Sequence, residues 1–132
     1  MSNFAASNYD PWPSFSAEEF MPSSHLFHMC VQAIGKLMLT QPFEPHWANL
    51  AMPLTSRGIT SGIIPYNSGT FSVEIDCIDH LIVFTSSWGK TSTLKLIAMS
   101  VAHLTRQIFQ HLENIGINIK INQKPQEVSD PI

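Results

Sequence analysis

From His25 to about Leu39 apolar residues recur at helical spacing, yet they fill two stripes rather than one. Leu26, Met29, Cys30, Ala33 and Leu37 form the first, and Phe27, Val31, Ile34 and Met38 form the second. Only His25, His28, Gln32 and Lys36 leave a narrow polar seam between them. A helix lying on a sheet with its back in water needs a single apolar stripe, so the second one calls for further cover. Upstream, Ser16 and Glu19 have the spacing of a capping box. Pro22 removes a donor and clashes with the preceding turn, so the pattern predicts a one-turn opening helix and a fresh start at Ser23 or Ser24. Gly35 costs about 1 kcal/mol relative to Ala inside a helix and points to a close neighbour or to the helix end.

Downstream the period changes to two. Leu50, Met52 and Leu54 share one face of an expected strand that Pro53 restricts to an edge or a bulge. Phe71, Val73, Ile75 and Cys77 alternate with Thr70, Ser72, Glu74 and Asp76, the clearest strand in the chain. Asp79-His80 reads as a hairpin tip into Leu81 to Ser86, and Ser87 to Lys90 as the turn into Thr93 to Ile97. The strand from Leu81 is apolar on both faces, with Leu81 and Val83 opposite Ile82 and Phe84, which implies cover on the second side of the sheet. Ser100 then caps an amphipathic helix whose core stripe is Val101, Leu104, Ile108, Leu112 and Ile115, ended by Asn114 and Gly116. Ile117, Ile119 and Ile121 alternate with Asn118, Lys120 and Asn122 as a closing half-buried strand. This order predicts an α+β two-layer sandwich, an antiparallel sheet of about five to six strands with two main helices on one face. The boundaries are a lead-in over residues 1–13, one domain over 14–124 and a tail over 125–132.

Composition narrows the function classes. A chain of 132 residues, 44% of them hydrophobic, is long enough for one core and too short for two ordinary domains. The formal net charge is −3 and the few Lys and Arg are scattered, which excludes the clustered basic face that nucleic acid requires. With only 13% charged residues, part of the surface is suited to burial against a partner. Met1 to Asp10 lacks the basic and apolar regions of a signal peptide, and no apolar run approaches the ~20 residues of a membrane helix. A soluble, cytoplasmic protein with no membrane partner is expected. Cys30 and Cys77 each sit in an apolar stretch and read as reduced core thiols.

Motif matches are mostly negative. Ser87-Trp88-Gly89-Lys90-Thr91 ends like a phosphate-binding loop, but Phe84 stands where the first glycine belongs and a strand follows instead of a helix. Gly58-Ile59-Thr60-Ser61-Gly62 has the spacing of a hydrolase nucleophile elbow with Thr at its centre, and reads better as a glycine-marked turn or bulge. The histidines show no metal-site spacing, His25 and His28 included, so neither a metal nor a cofactor is expected. Asp76, Asp79 and His80 crowd one strand end, either as a hairpin tip with a side-chain turn or as a polar site near a sheet edge.

Several signatures run through the same region: Gln32-Ala33-Ile34-Gly35-Lys36, His46-Trp47, Leu54 to Thr60, Ile64-Pro65-Tyr66 and Glu74 to His80. Together they resemble an uncharacterised, mainly bacterial family, domain of unknown function 5996, with a likeness running from Trp12-Pro13 to Pro125 through Val128. The resemblance brings no reaction with it. It implies that the chain corresponds to the N-terminal half of a longer, internally duplicated pattern, and it departs from that pattern at Ala48 and Cys77. It also places Gln32, Lys36, His46, Trp47, Arg57 and Tyr66 among the family's characteristic positions. With Asp79 and His80 these form the candidate site, a pocket for a small anionic ligand in which rings supply contact area and Arg57 a bidentate fork. The expected role is a self-associating small-ligand-binding or interaction module that forms a homodimer. The alternative is a hydrolase or metal-assisted enzyme using His46, His80, Asp76 and Asp79, so the sequence leaves open whether this is an enzyme. Geometry separates the two, because catalysis requires His46 to meet Arg57 or the Asp79-His80 turn in one concavity.

Overall fold

The computed structural model describes residues 14–121. The expected lead-in over 1–13, the tail over 125–132 and the last residues of the expected domain lie outside the described residues. The Ser16 hydroxyl accepts the Glu19 N–H at 3.1 Å, and α1 runs unbroken from Ala17–Met38. The expected break at Pro22 does not occur. Residues 17–23 are all exposed, so the Glu18 carbonyl that loses its partner meets water, and the fixed φ of proline is itself helical. The second half of α1 is the anchored half: Met29, Cys30, Ile34, Leu37 and Met38 are buried. Ile34 and Met38 belong to the second stripe, so the body covers that stripe at its C-terminal end, while Val31 is half-buried and Phe27 exposed.

No strand forms over Leu50 to Leu54. A 3₁₀ segment spans Pro45–Leu50, and Leu54 makes only an isolated bridge to Ile59. Pro45 and Pro53 cannot donate to a ladder, yet Leu50 and Met52 still pack against the core while Leu54 is left exposed. The strands are β1 (Gly58–Thr60), β2 (Ile64–Tyr66), β3 (Gly69–Asp76), β4 (Leu81–Ser86) and β5 (Thr91–Lys95). β1 and β2 both lie along one flank of β3, β4 lies on the other, and β5 pairs with β4, all antiparallel. Between Thr60↔Glu74 and Ile64↔Phe71, three residues face two, so Ser61 to Ile63 form the bulge that the glycine spacing suggested. Gly62 supplies the positive φ of 67°, and the Ser61 hydroxyl accepts the Val73 N–H that the bulge would otherwise orphan.

One parity of the sheet faces the helices. Phe71, Val73, Ile75, Ile82, Phe84 and Leu94 are buried there with Leu104, Ile108 and Leu112 of α2 (Val101–Asn114). The opposite face carries Ser72, Glu74, Thr85 and Thr93 around half-buried Leu81 and Val83. The expected cover for Ile82 and Phe84 is therefore the helix layer itself, and the second side is a largely polar surface. Helices stand on one face of a five-stranded antiparallel sheet, the α+β arrangement expected.

Two further expectations are corrected. Burial alternates from Ile117 to Lys120, but residues 117–121 form no strand. Side chains hold the chain here instead: Tyr66 Oη accepts the Asn118 N–H within the segment at 3.1 Å, and Trp88 Nε1 donates to the carbonyl of Ile115, the C-cap of α2, at 2.9 Å. Cys30 is a buried free thiol, whereas Cys77 is free and exposed, because β3 ends at Asp76 and the chain turns before the alternation reaches its next inward position. Among the described residues no helix is long and apolar enough to cross a membrane.

Candidate functional site

The densest polar group lies where β1 meets the β3–β4 hairpin. Asp76 Oδ1 accepts the N–H groups of Ile78 and Asp79 at 2.8 and 2.9 Å, a side-chain turn that shapes the tip. Its other oxygen accepts Arg57 Nε at 2.6 Å, and Arg57 Nη2 donates to Asp79 Oδ2 at 2.6 Å. Register brings them together, since Gly58 pairs with Asp76. A Cβ at Gly58 would stand 1.9 Å from the Ile75 carbonyl oxygen, so only glycine lets β1 approach this closely. The Arg57 hydrogen bond, with the two turn N–H groups, holds the Asp76 carboxyl below the usual carboxylate range, and Asp76 in turn raises Arg57. Asp76 is thus an ionised anchor rather than a proton acceptor in waiting. His80 closes the turn at φ 56° and is exposed.

The other candidates sit on other elements. Tyr66 pairs with Gly69 at the opposite end of β3 from Asp76, about 23 Å away along the strand. His46 and Trp47 are left-handed, at φ 59° and 57°, inside the 3₁₀ segment. Asn49 braces that segment, its buried side chain accepting the Glu44 N–H at 3.2 Å. Trp47 meets Phe43 edge to face at 4.9 Å, and both rings are exposed. Gln32 and Lys36 line a cleft between α1 and α2 of about 20 Å³, room for a single water. The structure therefore joins Arg57 to Asp79, with His80 beside them, and keeps Tyr66 at the other end of the sheet. Among the described residues no hydrogen bond links His46 to Arg57 or to the Asp79-His80 turn, and no three His, Cys, Asp or Glu side chains gather as a metal site would require.

Two features escaped sequence reasoning. Ser92 Oγ and His111 Nδ1 share a hydrogen bond of 2.5 Å, and the His111 ring stacks on Phe84 at 5.5 Å and 8°. Burial lowers the His111 pKa below its ordinary value. His111 lies three residues after Ile108 and seven after Leu104, on the core stripe of α2, and that spacing was the available signal. The second feature is a groove of about 330 Å³ at the Tyr66 end of the sheet, walled by Trp88; from its sequence context Trp88 is only part of a turn.

No curated protein and no solved structure matches this chain. The family of unknown function DUF5996 matches over residues 12–132, nearly the whole chain, and this protein belongs to that family.

Proposed function

We propose that this protein is an interaction module that self-associates, and that the N-terminal half of α1 is the surface on which two copies meet. The observation that carries this reading is the bare apolar stripe of Phe20, Phe27 and half-buried Val31, one position from Met21, with Phe15 against Phe20 at 5.1 Å. Phe15, Phe20, Met21 and Phe27 are 69%, 49%, 64% and 39% exposed, on the order of 400 Å² of apolar surface per copy. That is roughly half of one partner's share of a standard interface, and it is concentrated on one helix. A twofold pairing suits it, because each copy offers the same self-complementary patch. An antiparallel crossing centred on Ser23 and Ser24 sets Phe20 of one copy against Phe27 of the other, with small side chains at the point of closest approach. The two free thiols support a reducing, cytoplasmic setting.

A small anionic ligand has less support, since the Arg57 fork already engages two carboxylates. An enzymatic role has less again, because those carboxylates are engaged by Arg57 and, among the described residues, no hydrogen bond joins His46 to them. Light scattering on the full chain tests the module: a mass of twice 14.8 kDa is expected at micromolar concentration. Replacing Phe20 and Phe27 together with Glu should return the single-chain mass with an unchanged circular-dichroism spectrum, because both side chains are exposed, and should remove the concentration dependence of Tm that pairing confers. A wild-type mass of 14.8 kDa across the concentration range would reject the proposal.

A further inference from the structure

The groove at the far end of the sheet is built differently from the Arg57 cluster. Tyr66, Asn67, Ser68, Gly69, Trp88 and Gly116 line it with Ser87, and none of these carries a formal charge. The polar atoms of both aromatic residues are engaged by backbone groups, Trp88 Nε1 by the Ile115 carbonyl and Tyr66 Oη by the Asn118 N–H. What the two rings offer the groove is therefore apolar surface. Trp88 is 42% exposed and seated between two glycines: a Cβ on Gly69 would lie 2.9 Å from its Cζ3, and one on Gly116 would lie 3.7 Å from its Nε1. Packing fixes the ring without covering it. The T-shaped contact of Tyr66 with Phe71 fixes the other ring in the same way. Beside them Asn67, held left-handed at φ 51°, and Ser68 present an amide and a hydroxyl that make no hydrogen bond among the described residues.

Fixed rings flanked by uncharged donors and acceptors, in a volume within the range of about 300–1,000 Å³ typical of small-molecule sites, fit a ligand with an apolar ring face and a hydroxylated edge. We infer that this groove binds a neutral saccharide, its C–H face laid on Trp88 and its hydroxyls on Asn67 and Ser68. The negative face of an indole attracts such C–H groups, and hydroxyls match groups that both donate and accept. A phosphorylated or carboxylated ligand is disfavoured, because the lining holds no cation to meet it. The inference does not depend on pairing through α1.

Saturation-transfer NMR on the full chain tests it, with methyl β-glucopyranoside, N-acetylglucosamine and maltose as probes and adenosine and inorganic phosphate as comparators. Transfer to pyranose ring protons is expected for at least one saccharide. The Asn67→Gly, Ser68→Ala double variant keeps the left-handed backbone while removing both polar groups, and should weaken that saccharide by about fivefold or more with an unchanged melt. Ser68→Ala alone repeats the comparison without touching a left-handed position, with a smaller loss expected. No transfer to any of the three saccharides, binding of adenosine or phosphate in their place, or equal saccharide affinity in the variants would each overturn the inference.

Discussion

Burial decides what each thiol can do. Cys30 is fully enclosed in the core and its pKa is pushed up to about 12 by desolvation, so it is neither reached nor ionised near neutral pH. Cys77 lies exposed on the hairpin. A thiol-reactive chromophore at pH 8 should therefore titrate one cysteine in the native protein, and the second only after unfolding in guanidinium. Two fast thiols would show that the core opens around Cys30 on the reaction timescale. Parity in the sequence misplaced Cys77 for a definable reason: alternation from Phe71 points inward at every second residue, but the Asp76 side-chain turn ends the strand one residue early. The turn itself was legible in the Asp76, Asp79 and His80 cluster. The family resemblance set Arg57 in one candidate site with Asp79 and His80, but its ion pairs were not legible, because they depend on the register of β1 against β3, fixed by the close approach at Gly58 rather than by any local pattern.

At the scale of elements, context overrode one local rule in α1. Pro22 reads as a helix stop, yet the helix passes through it, while Gly35 falls in the last turn, near the helix end that it suggested. A Cβ at Gly35 would meet only the mobile end of Met52, at 3.7 Å, an ordinary van der Waals distance. Gly35→Ala is therefore expected to stabilise the fold by about 0.5–1 kcal/mol through helix propensity alone. Urea melts with an unchanged slope would measure the gain; a loss of stability would mean that Met52 cannot yield and that the glycine is there for packing. β3, β4 and α2 were readable because each carries its own period and its own turn or cap, and β5 was read two residues late, as Thr93 to Ile97 instead of Thr91–Lys95. The 3₁₀ segment and the short strands β1 and β2 were not, although the glycine spacing did suggest the bulge between them, since left-handed His46 and Trp47 and the hydroxyl of Ser61 replace periodicity with single-residue solutions. The segment 117–121 kept its alternation of buried and exposed residues without a ladder: Tyr66 holds it at Asn118, and Trp88 and the Leu112 carbonyl fix the chain where it leaves α2.

Across the whole molecule the two layers were legible in the sequence, and the gathering of the site was not. A pocket requires residues distant in sequence to converge, and β3 carries Arg57's partners and Tyr66's partner at opposite ends. Two ionisable groups tie the halves of this architecture together, and they set its pH dependence. His111 joins α2 to the sheet through Ser92 and Phe84, and its folded pKa lies below the ordinary 6.5. As pH falls below 6.5 the unfolded chain takes up a proton that the folded chain resists. This contribution is therefore complete above that value and declines from there downward. Asp76 joins β3 to β1 through Arg57, and its folded pKa lies below 3.8. Its contribution is complete above 3.8 and is lost as pH falls through the lower folded value. Thermal melts between pH 8 and pH 3 should show two declines in Tm. The upper one should disappear in His111→Asn, which has nothing to titrate there, and the lower one should shrink in Asp76→Asn. If the upper decline persists undiminished in His111→Asn, another group governs it, and the packing of His111 between Phe84 and Ser92 does not couple the layers as argued.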